Sequence, residues 1–123
     1  MSKKIAAVFL FFFIAFTTDT MADKSAVTIE GPDAAVKGSE ITIRINVTHD
    51  GNNFFHYTEE VWVQANGEEI ARWNFSWNDR PESERFSKEI KVMITDTTEI
   101  TAQANCNIHG SAGQAVLRIN LKP

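Results

Sequence analysis

The chain has 123 residues, with 12 lysines and arginines against 16 aspartates and glutamates and a net charge of −4. Such a balance offers no basic face for a phosphate backbone and argues against nucleic acid as a partner. Its one cysteine, Cys106, excludes an intramolecular disulfide.

Residues 1–22 read as an export signal: Lys3 and Lys4 form a basic start, residues 5–16 an apolar run, and Thr20-Met21-Ala22 a small-residue cleavage site. The run is short for a bilayer span, and a retained membrane anchor is the alternative reading. No cysteine follows it that would carry a lipid. Cleavage after Ala22 removes Lys3, Lys4 and Asp19 and leaves 10 basic and 15 acidic residues, a net of −5. The expected location is periplasmic or secreted, where small domains usually carry disulfides and this one has none.

From residue 23 onward, period-two alternation dominates, as expected of strands with one buried face. A short strand is predicted at residues 27–30. In "EITIRINVTH", Ile41, Ile43, Ile45 and Val47 share a face, and His49 falls in the same inward phase. "EVWVQANGEEIARWNFSW" reads as a hairpin about an Asn66-Gly67 turn, with Val61 and Val63 on one arm and Ala71, Trp73, Phe75 and Trp77 on the other; these aromatics are expected in the core. "RFSKEIKVMI" alternates through Phe86, Ile90, Val92 and Ile94, and "EITAQANC" through Ile100, Ala102, Ala104 and Cys106. "QAVLRINL" closes the series with Ala115, Leu117, Ile119 and Leu121. About seven short antiparallel strands and no amphipathic helix predict an all-β fold, an immunoglobulin-like β-sandwich forming one domain over residues 23–123.

Three histidines, His49, His56 and His109, and the one cysteine lie at strand ends or in the loops beside them. Singly, a loop histidine is commonly a solvated side chain and a lone cysteine a small core residue. A single C-x-x-H is also a weak metal signal. Together they are more specific, because every soft ligand of the chain falls on two loops that a sandwich can bring to one end. Imidazole and thiolate donors suit iron, copper or zinc rather than magnesium or calcium. Gln114, five residues after His109, stands where a blue-copper site often places a weak axial ligand. Spacing alone leaves the metal open.

The segments "CNIHG" at 106–110 and "FHYTEEVWVQANG" at 55–67 resemble the iron domain of superoxide reductases, the desulfoferrodoxin and neelaredoxin group. The resemblance spans most of residues 23–123 and implies an immunoglobulin-like sandwich around a mononuclear non-haem iron with four His nitrogens and an axial Cys sulfur. It further implies that superoxide is reduced to hydrogen peroxide at an open position, with electrons from a separate donor. Carried over residue by residue, Cys106 is the axial thiolate and His109, His49 and His56 are nitrogen ligands. Asn107 and Ile108 stand around the sulfur, where backbone N–H groups tune a thiolate. In the family's Glu-Lys-His segment the Lys draws in the anion; here the stretch is Asp23-Lys24-Ser25, so Lys24 takes that catalytic role while Ser25 replaces the fourth His. The His49 to His56 spacing is one residue longer than usual, Asp50 replaces a Pro, and Ser111 and Ala112 stand where a Trp commonly follows. Two other readings remain: a cupredoxin-like or iron electron-transfer module without superoxide reductase activity, and a sulfur-carrier or interaction domain using Cys106 as a free thiol.

Overall fold

A computed structural model describes residues 23–123; the expected export signal at 1–22 lies outside the described residues. The described residues form eight strands and no helix: β1 Ala26–Glu30, β2 Ala34–Val36, β3 Ser39–Thr48, β4 Thr58–Ala65, β5 Glu68–Asn74, β6 Arg85–Ile94, β7 Thr98–Cys106 and β8 Ala115–Lys122. They form two sheets, β1-β3-β6 and β2-β8-β7-β4-β5. The all-β sandwich is therefore as expected, with one strand more. That strand, β2, is three residues long and pairs parallel to β8, unlike the antiparallel pairs elsewhere. Ala34 and Ala35 have little intrinsic preference for a strand, and three residues are too few for alternation to register.

The core is the sum of the inward phases. Ile43, Ile45 and Val47 from β3 meet Val61 and Val63 from β4, Ile94 from β6, Ile100, Ala102 and Ala104 from β7, and Ile119 from β8, each at most 1% exposed. Alternation places these side chains on one face of each strand, and facing two such sheets removes them from water together. Complete burial of one aliphatic side chain is worth roughly 1.5–3 kcal/mol. The Asn66-Gly67 turn is also as predicted. Asn66 and Gly67 take φ of 50° and 83°, the two positive values that a type I′ hairpin requires.

One core expectation fails. Trp73 and Phe75 pack against the core, but Trp77 is 53% exposed. The ladder of β5 ends at Asn74, and after Phe75 N–H donates to the Glu59 carbonyl (2.8 Å) the chain turns back through a Ser76–Asp79 bridge. Alternation continues in the residues after the strand that enforces it has stopped.

Register places the functional loops together. The start of β1 faces the end of β3 (Ala26 with Thr48), the end of β3 faces the start of β6 (Thr48 with Arg85), and the start of β4 faces the end of β7 (Thr58 with Cys106). Ser25 then bridges Ser111 across the two sheets. Residues 23–25, 49–57, 75–84 and 107–114 thus share one end of the sandwich.

Because Ile45 is fully buried at the centre of β3, Ile45→Ala is expected to cost about 3 kcal/mol through lost burial and the residual cavity. Urea unfolding of the two proteins measures it. A loss below about 1 kcal/mol would mean that the two sheets do not pack as described.

Candidate metal centre

The cysteine loop is built by a tight reversal. Cys106 closes β7, its N–H donates to the Gly110 carbonyl (2.8 Å), and Gly110 N–H returns a bond to the Cys106 carbonyl (3.1 Å). Gly110 has φ of +74°, a conformation that glycine adopts without steric cost. The reversal aims the N–H groups of Ile108 and His109 at Cys106 Sγ, both at 3.4 Å. Two N–H donors directed at one sulfur are outer contacts of the kind that orient a metal-binding cysteine.

The histidine loop carries the other donors. His49 continues the inward phase of β3 and is 5% exposed, with its N–H donating to the Glu84 carbonyl (2.9 Å). His56 is presented by a local turn, in which Asn53 Oδ1 accepts from Phe55 N–H (2.9 Å) and His56 N–H (3.0 Å). Gly51 permits the close approach: a Cβ there would stand 2.5 Å from His56 Nδ1. Residues 50–55 are rich in turn-forming types, but the separate tasks of Gly51 and Asn53 appear only in the folded chain.

The three imidazoles and the thiol converge. His49 Nε2 stands 3.1 Å from His56 Nε2, and His56 Nε2 stands 3.1 Å from His109 Nδ1. Cys106 Sγ lies 3.9 Å from His109 Nδ1. Ligand atoms of His49, His56 and Cys106 all fall within 4.8 Å of one another, a group able to hold a metal ion. At metal–nitrogen bonds of about 2.1 Å, two nitrogens at a right angle stand about 3.0 Å apart. Neighbouring ring nitrogens here match that spacing. The rings also meet edge to face, His56 with His49 at 4.5 Å and 81° and with His109 at 4.9 Å and 82°. His49 and Cys106 are buried while His109 is exposed, so the cluster is closed on the core side and reaches solvent on the other.

Other polar side chains border the cluster or stand apart from it. Ser25 is fully buried, bonded through Oγ to Thr58 Oγ1 (2.7 Å), through N–H to the Gly110 carbonyl (3.2 Å) and through its carbonyl to Ala112 N–H (2.8 Å). The segment before β1 therefore lies against the cysteine loop, and exposed Lys24 is held between Ser25 and Asp23. Gln114 does not serve the cluster as an axial donor: its Nε2 donates to Gln103 Oε1 (3.2 Å), on the phase of β7 opposite to Cys106. Glu60, adjacent to the histidine loop, is engaged by Arg72 at 3.0 Å and by Asn105 Nδ2 at 3.2 Å.

Electrostatics disfavour the charged form of His49. Burial is the largest influence lowering its pKa, and neighbouring His56 adds to it; the backbone of Asp23 and Gly51 and the charge of Asp50 pull the other way. His49 Nδ1 is buried with no hydrogen-bond partner among the described residues.

Comparison with known proteins places the chain. The desulfoferrodoxin family model matches residues 17–112. The fold is a β-sandwich with a His/Cys cluster able to hold a metal at one end, and this chain belongs to the desulfoferrodoxin family. Among solved structures it is similar to superoxide reductase (neelaredoxin) from Ignicoccus hospitalis, with TM-score 0.65, 17% identity, and coverage of 80% of this chain and 82% of that one. It is also similar to a variant of superoxide reductase (neelaredoxin) from Archaeoglobus fulgidus in the reduced form, with TM-score 0.55, 14% identity, and 84% and 93% covered. A CARDB domain from Pyrococcus furiosus in complex with di-metal ions gives TM-score 0.57, 17% identity, and 82% and 97% covered. At such identities the likeness establishes the fold. No curated protein sequence matches.

The lowered pKa of His49 sets a pH dependence for the metal-free protein. The unfolded chain binds this proton at the ordinary histidine value while the folded protein resists it. The stabilisation is complete above about pH 6.5 and is lost as pH falls through the folded value. Urea unfolding between pH 7.5 and 5 is expected to show stability declining with acid, with a shallower decline in His49→Gln. Equal slopes would place the titrating group elsewhere.

Proposed function

We propose that the chain is a non-haem iron protein that reduces superoxide to hydrogen peroxide, with His49, His56, His109 and Cys106 as ligands. One observation carries the reading: the only thiol and all three histidines of the chain converge at one end of a desulfoferrodoxin fold. Their donor chemistry fits iron, with copper or zinc as chemically reasonable occupants of the same set. Held by these four residues, ferrous iron would supply the one electron that, with two protons, converts superoxide to hydrogen peroxide.

The residues of the chain divide the remaining work. Cys106 brings a thiolate held by two N–H donors, which keeps sulfur charge directed toward the metal position. Buried His49 excludes water from the core side, and exposed His109 leaves the solvent side open to a small anion. Lys24 supplies positive charge beside the cysteine loop, in a protein whose overall charge repels superoxide. Its role is electrostatic steering, and it weakens with ionic strength. An electron donor, not identified by the chain itself, returns the site to its reduced form. Residues 1–22 are read as the signal that exports the protein to the periplasm or beyond.

A second reading has its own support: a metal-binding or electron-transfer module on the same ligands without superoxide reductase activity. Ser25, which stands where the family carries a further His, is tied to Thr58 and offers no nitrogen.

Rapid mixing of ferrous-loaded protein with superoxide separates the two. The reductase reading expects oxidation of the protein with one peroxide formed per superoxide and no dioxygen released, and a loss of at least ten-fold in rate for Cys106→Ser. Protein that stays ferrous, or superoxide that decays at its spontaneous rate, would leave the second reading.

A further inference from the structure

The pairing of β4 with β7 ends at Thr58 and Cys106, yet the two chains stay joined beyond it. Asn107 N–H donates to the Tyr57 carbonyl (3.1 Å), its Oδ1 accepts from Tyr57 N–H (3.1 Å), and its Nδ2 donates to the Phe55 carbonyl (3.0 Å). The side-chain amide behaves as an extra peptide group, extending the ladder by one pair after the backbone of β7 has turned away. Its bonds fall on the residues either side of His56.

The opposite end of the same ladder has the same arrangement. Asn66 N–H donates to the Glu99 carbonyl (2.9 Å), its Oδ1 accepts from Glu99 N–H (2.8 Å), and its Nδ2 donates to the Thr97 carbonyl (3.4 Å). There the device only seals a hairpin. At the cysteine end it also fixes the distance between the loop that carries Cys106 and the one that carries His56.

We propose that Asn107 is a positioning residue that clamps His56 to the cysteine loop and so preforms the metal site before any ion arrives. The physical requirement is narrow. The residue must donate and accept at once and be short enough to pair with a directly facing backbone. Aspartate keeps the acceptor and loses the donor; alanine loses both; glutamine is one methylene too long for the facing pair. Because Asn107 Oδ1 also lies 3.7 Å from Cys106 Sγ, the amide sits between the sulfur and the histidine loop. The clamp is thereby placed to act on two ligands together.

The effect on metal affinity rests on the metal-site reading above; the clamp itself does not. Two measurements on Asn107→Ala, Asn107→Asp and the matched control Asn66→Ala keep them apart. In metal-free protein, hydrogen exchange at Tyr57 N–H is expected to accelerate at least ten-fold in Asn107→Ala, less in Asn107→Asp, and not in Asn66→Ala. Unchanged exchange in folded Asn107→Ala would overturn the clamp, whatever the protein binds. Titration with cobalt(II), followed by thiolate-to-cobalt absorption, is expected to show affinity falling 10- to 100-fold in Asn107→Ala. Asn66→Ala, which loses an equivalent set of bonds, is expected to bind as the parent does. Equal losses in both variants would reduce the effect to general stability and overturn the proposal. Absence of cobalt absorption in the parent protein would contradict the metal reading and leave the exchange result to decide the clamp.

Discussion

The pairing of β4 with β7 is the constraint on which the site depends. It sets Thr58 opposite Cys106, and so delivers the residue two places before Thr58, His56, to the loop that begins at Cys106. A one-residue slip in this ladder would send Ile100, Ala102 and Ala104 to the outer face and carry Cys106 with them. The hydrophobic core therefore enforces the register, and the register enforces the meeting of histidine with cysteine. Stability and site geometry are properties of the same ladder.

Around that pair the other candidate ligands are added at little structural cost. His49 follows directly on β3, in the phase of Ile43, Ile45 and Val47, so its burial follows from the same alternation that builds the core. Burial disfavours the charged form of this imidazole, and its Nε2 stands 3.1 Å from His56 Nε2, on the side where the candidate ligands gather. Binding a metal is one way such a group is used. Ser25 represents a different solution at the same end: its hydroxyl is paired with Thr58, and its backbone fastens residues 23–25 to residues 110–112. In this chain that position is a structural fastening.

Much of this was legible in the sequence, and the gaps have physical reasons. Strands with a full inward phase, such as residues 41–47 and 100–106, declare themselves because only a half-buried strand requires that pattern. β2 did not, since two alanines and a valine carry no phase. Trp77 misled because alternation persisted past the point where hydrogen bonding stopped, and no residue type marks that point. The candidate ligands were legible through exclusivity, there being no other histidine or cysteine. Gly51, Asn53 and the side-chain bonds of Asn107 were not, because each acts on a residue that only folding makes its neighbour. Gln114 was read for copper by spacing, but its side chain is paired with Gln103.

The central claim is that His49, His56, His109 and Cys106 hold one metal ion through the sulfur as well as the nitrogens. The most direct measurement is metal content together with the optical spectrum of the oxidised, iron-reconstituted protein, taken alongside Cys106→Ser. One iron per chain and a thiolate-to-ferric absorption band, present in the parent and absent in Cys106→Ser, is the predicted result. Iron that binds in less than stoichiometric amount, or a spectrum unaffected by removing the sulfur, would contradict it.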